Sequence, residues 1–420
     1  MSVPVIEADQ SGPNTSASTR GTPLRWMLIV AGVFALVSLV RILTGADDLT
    51  SAGALRAAIQ AAVPITLAGL GGLWSERAGV VNIGLEGMMI MGALGGAYFT
   101  VEHGVVAGIL GSILFGALTG TVHAVTTVIF GVDQIVSGVA INIISAGLAA
   151  FLAQAWFTGL EGGGPTQSPS LPRPPAITIG PLNDALNELS AKGWFVISDL
   201  ASLLAALTRN LSLLTILAFV LVGVSGWILW RTAFGLRLRS VGESPSAAES
   251  LGVNVYFYKF FAVVMSGIFA GLGGVYLVLV SGPGYQNGLT GGLGYIGLAA
   301  MIFGNWRPGG LLIGAGLFGY TTAIRLRGGT IELHALLLVI AVVLIILALW
   351  QIYRGSVRRG LITGGIGVVF GVWFATTESV PAEFTGMAPY LATLFVLAFA
   401  AQKLRMPAAD GQVYRKGSAG

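Results

Sequence analysis

The chain has no cysteine, which excludes a disulfide framework and a thiolate metal site and leaves no trace of a redox compartment. Charge is nearly as scarce: 10% of residues are Asp, Glu, Lys or Arg, while 55% are hydrophobic and mean hydropathy is +0.83. A water-soluble domain needs far more surface charge, so the soluble classes fall away. Lysine occurs at Lys192, Lys259, Lys403 and Lys416, none inside a GxxxxGK[ST] phosphate loop, so the chain is not expected to hydrolyse ATP itself. HExxH and GxSxG are also absent, and His103, His123 and His334 are far apart in sequence. No catalytic residue and no metal ligand is therefore assigned, and enzyme is the weaker class. The net charge of +4 sits at membrane-flanking ends, which suits an anionic leaflet better than nucleic acid.

What the sequence has in abundance is apolar runs near or above the length of about 18 residues that reads as a membrane span. They fall at 26–43, 54–73, 86–100, 105–130, 135–157, 213–230, 257–280, 291–304, 310–325, 335–353, 361–377 and 389–404. The fold predicted is an all-α, polytopic transmembrane bundle of about 10–12 membrane segments. Runs 86–100 and 291–304 are short and Gly-rich at their ends, which predicts half-helices or re-entrant segments. Irregular backbone at such depth survives only where protein or water satisfies it. Residues 1–25 are polar, rich in Ser, Thr and Pro, and lack a secretory start, so a disordered cytoplasmic tail is expected there.

Arg and Lys are retained in short cytoplasmic loops, and this orients the chain. Arg20 and Arg25 fall inside, Asp47 and Asp48 outside, and Arg231, Arg237 and Arg239 inside. Arg354, Arg358 and Arg359 are inside, Glu378 and Glu383 outside, and Lys403, Arg405, Arg415 and Lys416 inside, so both termini are expected in the cytoplasm. Arg325 and Arg327 dissent by falling outside. The longest external loop, 158–210, contains GGGPTQSPSLPRPP, which resists regular structure and reads equally as a linker or a docking surface. Four GxxxG pairs, Gly116/Gly120, Gly267/Gly271, Gly310/Gly314 and Gly367/Gly371, predict close helix packing. The cytoplasmic loop 231–256 holds Ser244 before Pro245, a helix N-cap with Pro at the first position, so a short surface helix is expected there.

Four ordered segments, SERAGVVNIGLEGMMIMGA, FGLRLRSVGESPSAAESLGVNV, MSGIFAGLGGVYLVL and GLGYIGLAAMIFGNWRPGG, resemble the membrane permease of nucleoside-type ATP-binding-cassette (ABC) importers, relatives of branched-chain amino-acid and simple-sugar permeases. The likeness covers most of 50–326 and resumes at APYLATLFVLA and RMPAADGQVYRKG. It implies a type II ABC importer fold, a permease domain over 26–404 and a cytoplasmic tail over 405–420. It also implies a cytoplasmic ABC ATPase that uses the ATP, no cofactor on this chain, an external substrate-binding lipoprotein and a cell-membrane location. The SERAGVVNIGLEG form is similar to the shorter of two sister permeases, which implies a heterodimer. The GES-P-AA-GV loop resembles the coupling helix that docks on the ATPase, a role that passes to Gly242, Glu243, Pro245, Ala247, Ala248 and Gly252. Between 331 and 377 the chain departs from the pattern with two extra hydrophobic runs, an insertion expected to pack towards lipid.

A nucleoside asks for amide hydrogen bonds to base and ribose and for an aromatic face. Candidates near the predicted breaks are Asn82, Glu86, Gln134, Asn142, Tyr285, Gln286, Asn287, Asn305 and Trp306, and for each a packing or capping role stands equally open. Glu86 is the better structural candidate, because an ionised group at a helix centre costs roughly 2.5 to 3.5 kcal/mol on the insertion scale for Asp, Lys or Arg. Arg77 or the amides of 84–87 are its expected partners. Sugars or branched-chain amino acids remain alternative substrates, and an intramembrane enzyme or a channel is the alternative class.

Overall fold

The computed structural model of the chain describes residues 22–327, 329–381, 384, 387 and 404–417. Most of the expected tail at 1–25 and nearly all of the expected helix at 389–404 lie outside the described residues. Within them the chain forms α1 (Thr22–Thr44), α2 (Ala52–Arg77), α3 (Leu85–His103), α4 (Val105–Ala124) and α5 (Gln134–Phe157). Next come α6 (Gly180–Ala191), α7 (Ile197–Thr208) and α8 (Leu213–Arg231), then α9 (Ala233–Glu243), α10 (Pro245–Ser250) and α11 (Val255–Tyr276). The last four are α12 (Leu293–Phe303), α13 (Pro308–Leu326), α14 (Thr330–Tyr353) and α15 (Val357–Thr376). Among the described residues seven helical stretches are long and apolar enough to cross a membrane. Helix is what lipid demands of them, since no water is present to take up free N–H and C=O groups.

The centre of the molecule is α2, α3 and α11, which are buried on most of their surface. Glycine sets their spacing. A Cβ on Gly116 of α4 would sit 2.3 Å from the Gly267 carbonyl of α11, and one on Gly267 would sit 2.2 Å from the Gly116 carbonyl. On α3, a Cβ at Gly92 would meet the Gly271 backbone at 2.2 Å, so three helices converge on Gly271. Gly310 abuts Gly304, Gly314 abuts Ala300 and Gly367 abuts Leu344, so each predicted GxxxG pair lies at a helix contact. Trp74 of α2 fills the adjoining layer, its ring against Phe234, Phe261 and Phe269 and its Nε1–H donating to Ser225 on α8 at 3.0 Å.

Two expectations change. Run 86–100 was expected to be short, yet α3 has 19 residues. Its interior position explains this: glycines and the buried Glu86 are tolerated where protein surrounds the helix, and the exposed Glu102 and His103 end it, so hydropathy understated its length. Loop 158–210 is not mainly irregular, because α6 and α7 form a helical hairpin closed by the pairing of Ala176–Ile177 with Leu211–Ser212. Asp199 of α7 anchors it, buried and accepting hydrogen bonds from Ser38 and Thr50 while Arg41 Nε lies 3.0 Å away. The run after Gly163 is irregular as expected, but it is pinned by main-chain bonds to 283–287.

Arg327 ion-pairs with Asp48 at 3.0 Å, so the dissenting arginines share an end with Asp47 and Asp48. The opposite end carries Arg77, α9, α10 and the 304–308 turn. Helices α14 and α15 pack on one another, with α14 also against α1, and α15 is largely exposed with an apolar surface.

Candidate functional site

Two interruptions meet inside the bundle. The first is the irregular run 78–84 between α2 and α3. Each of its backbone groups needs a partner in the protein, and the candidate amides supply several. Gln134 Oε1 accepts from Val81 N–H at 2.7 Å. Asn142 Oδ1 accepts from Gly87 N–H at 2.7 Å, while its Nδ2 donates to the Ile83 carbonyl at 3.0 Å and to the Tyr295 hydroxyl at 2.8 Å. Asn82 is fully buried and donates to Ser266 at 2.8 Å; its Oδ1 has no hydrogen-bond partner among the described residues.

The second interruption is the glycine-rich loop leading into α12. With 11 residues, α12 spans about 16 Å, roughly half of a hydrocarbon core of about 30 Å. Its far end reaches the turn at Gly304 beside Trp306, and Arg77 donates to the Trp306 carbonyl at 2.7 and 3.0 Å. The N-terminus of α12 is therefore at mid-depth, as the short run 291–304 implied. Glu86, in the first turn of α3, meets it there. Its Oε1 accepts from the Thr290 hydroxyl at 2.6 Å and Gly292 N–H at 2.9 Å, and its Oε2 accepts from Gly294 N–H at 2.7 Å. The carboxylate thus lies at two helix N-termini, where macrodipoles favour negative charge. The expected partners were Arg77 and the 84–87 amides; Arg77 is instead held at the end of α2 by Trp306, across the irregular run. Gly294 also has no room for a Cβ, which would fall 2.6 Å from the Glu86 backbone.

The remaining candidates lie at the two ends. Tyr285 is buried, its backbone N–H donating to Ser168 at 3.0 Å and its hydroxyl to Asn287 Oδ1 at 3.0 Å. Gln286 and Asn287 are exposed and pair with 166–167, at the Asp48 end. At the other end, Asn305 and Trp306 adopt left-handed φ of 53° and 52°; Asn305 accepts from Arg405 N–H at 2.7 Å and Trp306 Nε1–H donates to Glu76 at 2.6 Å. The nine candidates therefore occupy three levels, with Asn82, Glu86 and Asn142 together at the middle one. Sequence reasoning missed Tyr295, which belongs to that level: its hydroxyl is bonded inward while its side chain is 46% exposed. The segment GLGYIGL carried the signal, an aromatic one turn into a helix too short to span.

At the Arg77 end, α10 begins at Pro245 with Ser244 in the capping position, but no side-chain capping bond forms. Gly242 is pressed on the Arg77 carbonyl, where a Cβ would lie 2.2 Å away, and Ala248 is buried. Glu243, Ala247 and Gly252 are exposed, Pro245 is half-buried, and Leu251 presents an apolar side chain 84% exposed.

An all-α polytopic bundle with paired helix interruptions is an architecture found among membrane transporters. The chain belongs to the family described as branched-chain amino acid transport system / permease component, whose model matches residues 54–349 and so includes most of α14. Among its relatives, Nucleoside ABC transporter permease protein NupC of Lactococcus lactis is 34% identical over 366 residues, 84% of this chain and 93% of NupC. Guanosine ABC transporter permease protein NupQ of Bacillus subtilis is 37% identical over 279 residues, 65% of this chain and 81% of NupQ. TsgC13 of Haloferax volcanii, named provisionally as a glucose ABC transporter permease, is 34% identical over 284 residues, 67% of this chain and 80% of its own length. No solved structure matches the chain.

Proposed function

We propose that this chain is the membrane permease subunit of an ABC importer that carries nucleosides. The observation that carries the reading is its likeness to NupC and NupQ over most of their lengths. The site chemistry favours a neutral solute. In transporters whose substrate carries a carboxylate, half-helix N-termini face that group; here the N-terminus of α12 is already filled by Glu86. A substrate carboxylate therefore finds the amides of Gly292 and Gly294 already taken, which argues against amino acids. Tyr295 supplies an exposed aromatic face, and Asn142, bonded to its hydroxyl, holds it against the interruption before α3. Glucose is the second reading, favoured by the likeness to TsgC13 and equally neutral.

The finer assignments are part of the same proposal. ATP is hydrolysed by a separate cytoplasmic ATPase that docks on the α9–α10 junction and α10, meeting the exposed Glu243, Ala247 and Gly252 and the half-buried Pro245, while Gly242 and Ala248 seat that surface on the bundle. An external lipoprotein delivers substrate at the Asp48 end, the second permease is a sister chain, and both termini are cytoplasmic. Thermal-shift measurements on the external receptor of the same transporter, with nucleosides, sugars and amino acids, test the substrate. Stabilisation by nucleosides supports the reading, and a receptor blind to every nucleoside contradicts it. Replacing Glu243 and Pro245 should abolish co-purification of the ATPase; an intact complex would count against α10 as the docking helix.

A further inference from the structure

The end of the chain is not a free tail. Residues 404–417 are tied to four places at the Arg77 end: α9, α11, the turn between α12 and α13, and the run 78–84. Ala409 N–H donates to the Gly242 carbonyl at 2.9 Å and Ala408 N–H to Glu243 Oε2 at 3.2 Å, which fastens it to the end of α9 where α10 begins. Arg405 N–H donates to Asn305 Oδ1 at 2.7 Å, which fastens it to the turn between α12 and α13. The Tyr414 ring meets Tyr256 of α11 edge-on with centroids 5.3 Å apart. Gly79, in the interruption after α2, is enclosed by the Ala409 carbonyl, Lys259 Nζ and Gly242, each within 3.2 Å of where a Cβ would stand. Lys259 Nζ donates to the Gly79 carbonyl at 2.9 Å.

Asp410 lies at the centre of these contacts. It is 9% exposed, and its carboxyl is turned to the carboxyl of Glu76 at the end of α2. Glu76, Lys259 and Arg77 are the charged groups around it, and burial pushes its carboxyl above the ordinary range. Burying a carboxyl in a chain-terminal segment is costly without close partners, so a segment that merely trails from the bundle would leave it in water. Beyond these contacts a groove of about 600 Å³ runs between the end of α10 and residues 414–416, lined by Glu249, residues 252–256, Tyr414 and Lys416.

We propose that 404–417 is a strap joining the coupling helices α9 and α10 to the interruption at 78–84, with Asp410 as its positioning residue, so that a displacement imposed on α10 is delivered to the mid-depth site. This rests on the ABC reading above. The route is a run of contacts: Gly242 and Glu243 to 408–409, these to Gly79, and 78–84 onward through Val81 and Asn82 to α3. Coupling of this kind is a free-energy link between two sites, and its loss changes how efficiently one drives the other without removing either.

The test uses the full complex of this chain, its partner permease, ATPase and receptor in lipid vesicles, with radiolabelled uridine. Two variants are compared with the unmodified complex: a chain ending at Met406, and Asp410→Asn, which keeps shape and removes the ionisable carboxyl. Three quantities are read: ATPase co-purified, ATP hydrolysed, and uridine taken up per ATP. The expected result is retained ATPase and basal hydrolysis, with uridine per ATP reduced about fivefold or more in the truncated chain and in the same direction for Asp410→Asn. Unchanged uridine per ATP in both variants overturns the strap. If the truncated chain fails to assemble, Asp410→Asn decides alone. Absence of ATP-driven uptake in the unmodified complex, with glucose and leucine as controls, overturns the underlying reading and the strap with it.

Discussion

Glu86 is the residue on which a structural and a substrate-binding role give opposite results. Its carboxylate takes three short hydrogen bonds, from Thr290, Gly292 and Gly294, that tie α3 to the start of α12. A hydrogen bond to a charged group contributes about 1.5–3 kcal/mol, and a buried donor left unpaired costs about 1–3 kcal/mol. Glu86→Gln retains the oxygen that faces Thr290 and Gly292 but turns an amide N–H₂ toward Gly294 N–H, a loss of about 2 kcal/mol. Glu86→Ala strands all three donors and should cost about 4 kcal/mol or more, lowering the apparent Tm of the purified permease by on the order of 10 °C. The assay is thermal unfolding in detergent without substrate, alongside uptake kinetics. Both variants should lose stability in the order Ala then Gln, and surviving Glu86→Gln protein should keep a KM near the original. Unchanged melting together with a raised KM would refute the staple and return Glu86 to the substrate.

Gly271→Leu should prevent α4 from packing on α11, because Ser112 and Gly116 backbone atoms already occupy that space; recovery of normally melting protein would contradict the packing described. Tyr295→Ala should raise KM for nucleosides while Tyr295→Phe, which loses the hydroxyl bond to Asn142 but keeps the ring, should raise it less; an aromatic face of this kind contributes about 1–3 kcal/mol per stacked base. Equal effects would show that the hydroxyl, not the ring, matters. The absence of native cysteine allows single-cysteine labelling without background. An impermeant maleimide should reach Asn287→Cys and Arg325→Cys from outside the cell and Leu251→Cys only after permeabilisation, and the reverse pattern would invert the proposed orientation.

Spanning helices were legible because lipid imposes one rule, continuous apolar helix, on each of them. The ends of α5 and α8 consequently fall within a few residues of the apolar runs. The glycine pairs were legible for a related reason, since a bare backbone has little use in a helix except close approach. Long-range polar pairing was hidden. Glu86 finds its acceptor role more than 200 residues away at Thr290, and nothing near either residue announces it. Asp199 stayed equally silent: α6 and α7 are folded by an anchor to Ser38, Arg41 and Thr50, which local composition cannot show. The motif RMPAADGQVYRKG was visible as family likeness, while its packing against Gly242 and Gly79 depended on the turns it joins. Of the nine candidate residues, the three at mid-depth were found from their helix breaks; those at the two ends were drawn in because breaks mark turns as well as sites.

The most direct measurement is ATP-driven uptake by the reconstituted complex. Vesicles containing this chain with its sister permease and ATPase, supplied with receptor outside and ATP inside, should accumulate radiolabelled guanosine and uridine, and vesicles lacking this chain should not. Accumulation of glucose or leucine with no accumulation of either nucleoside would contradict the account.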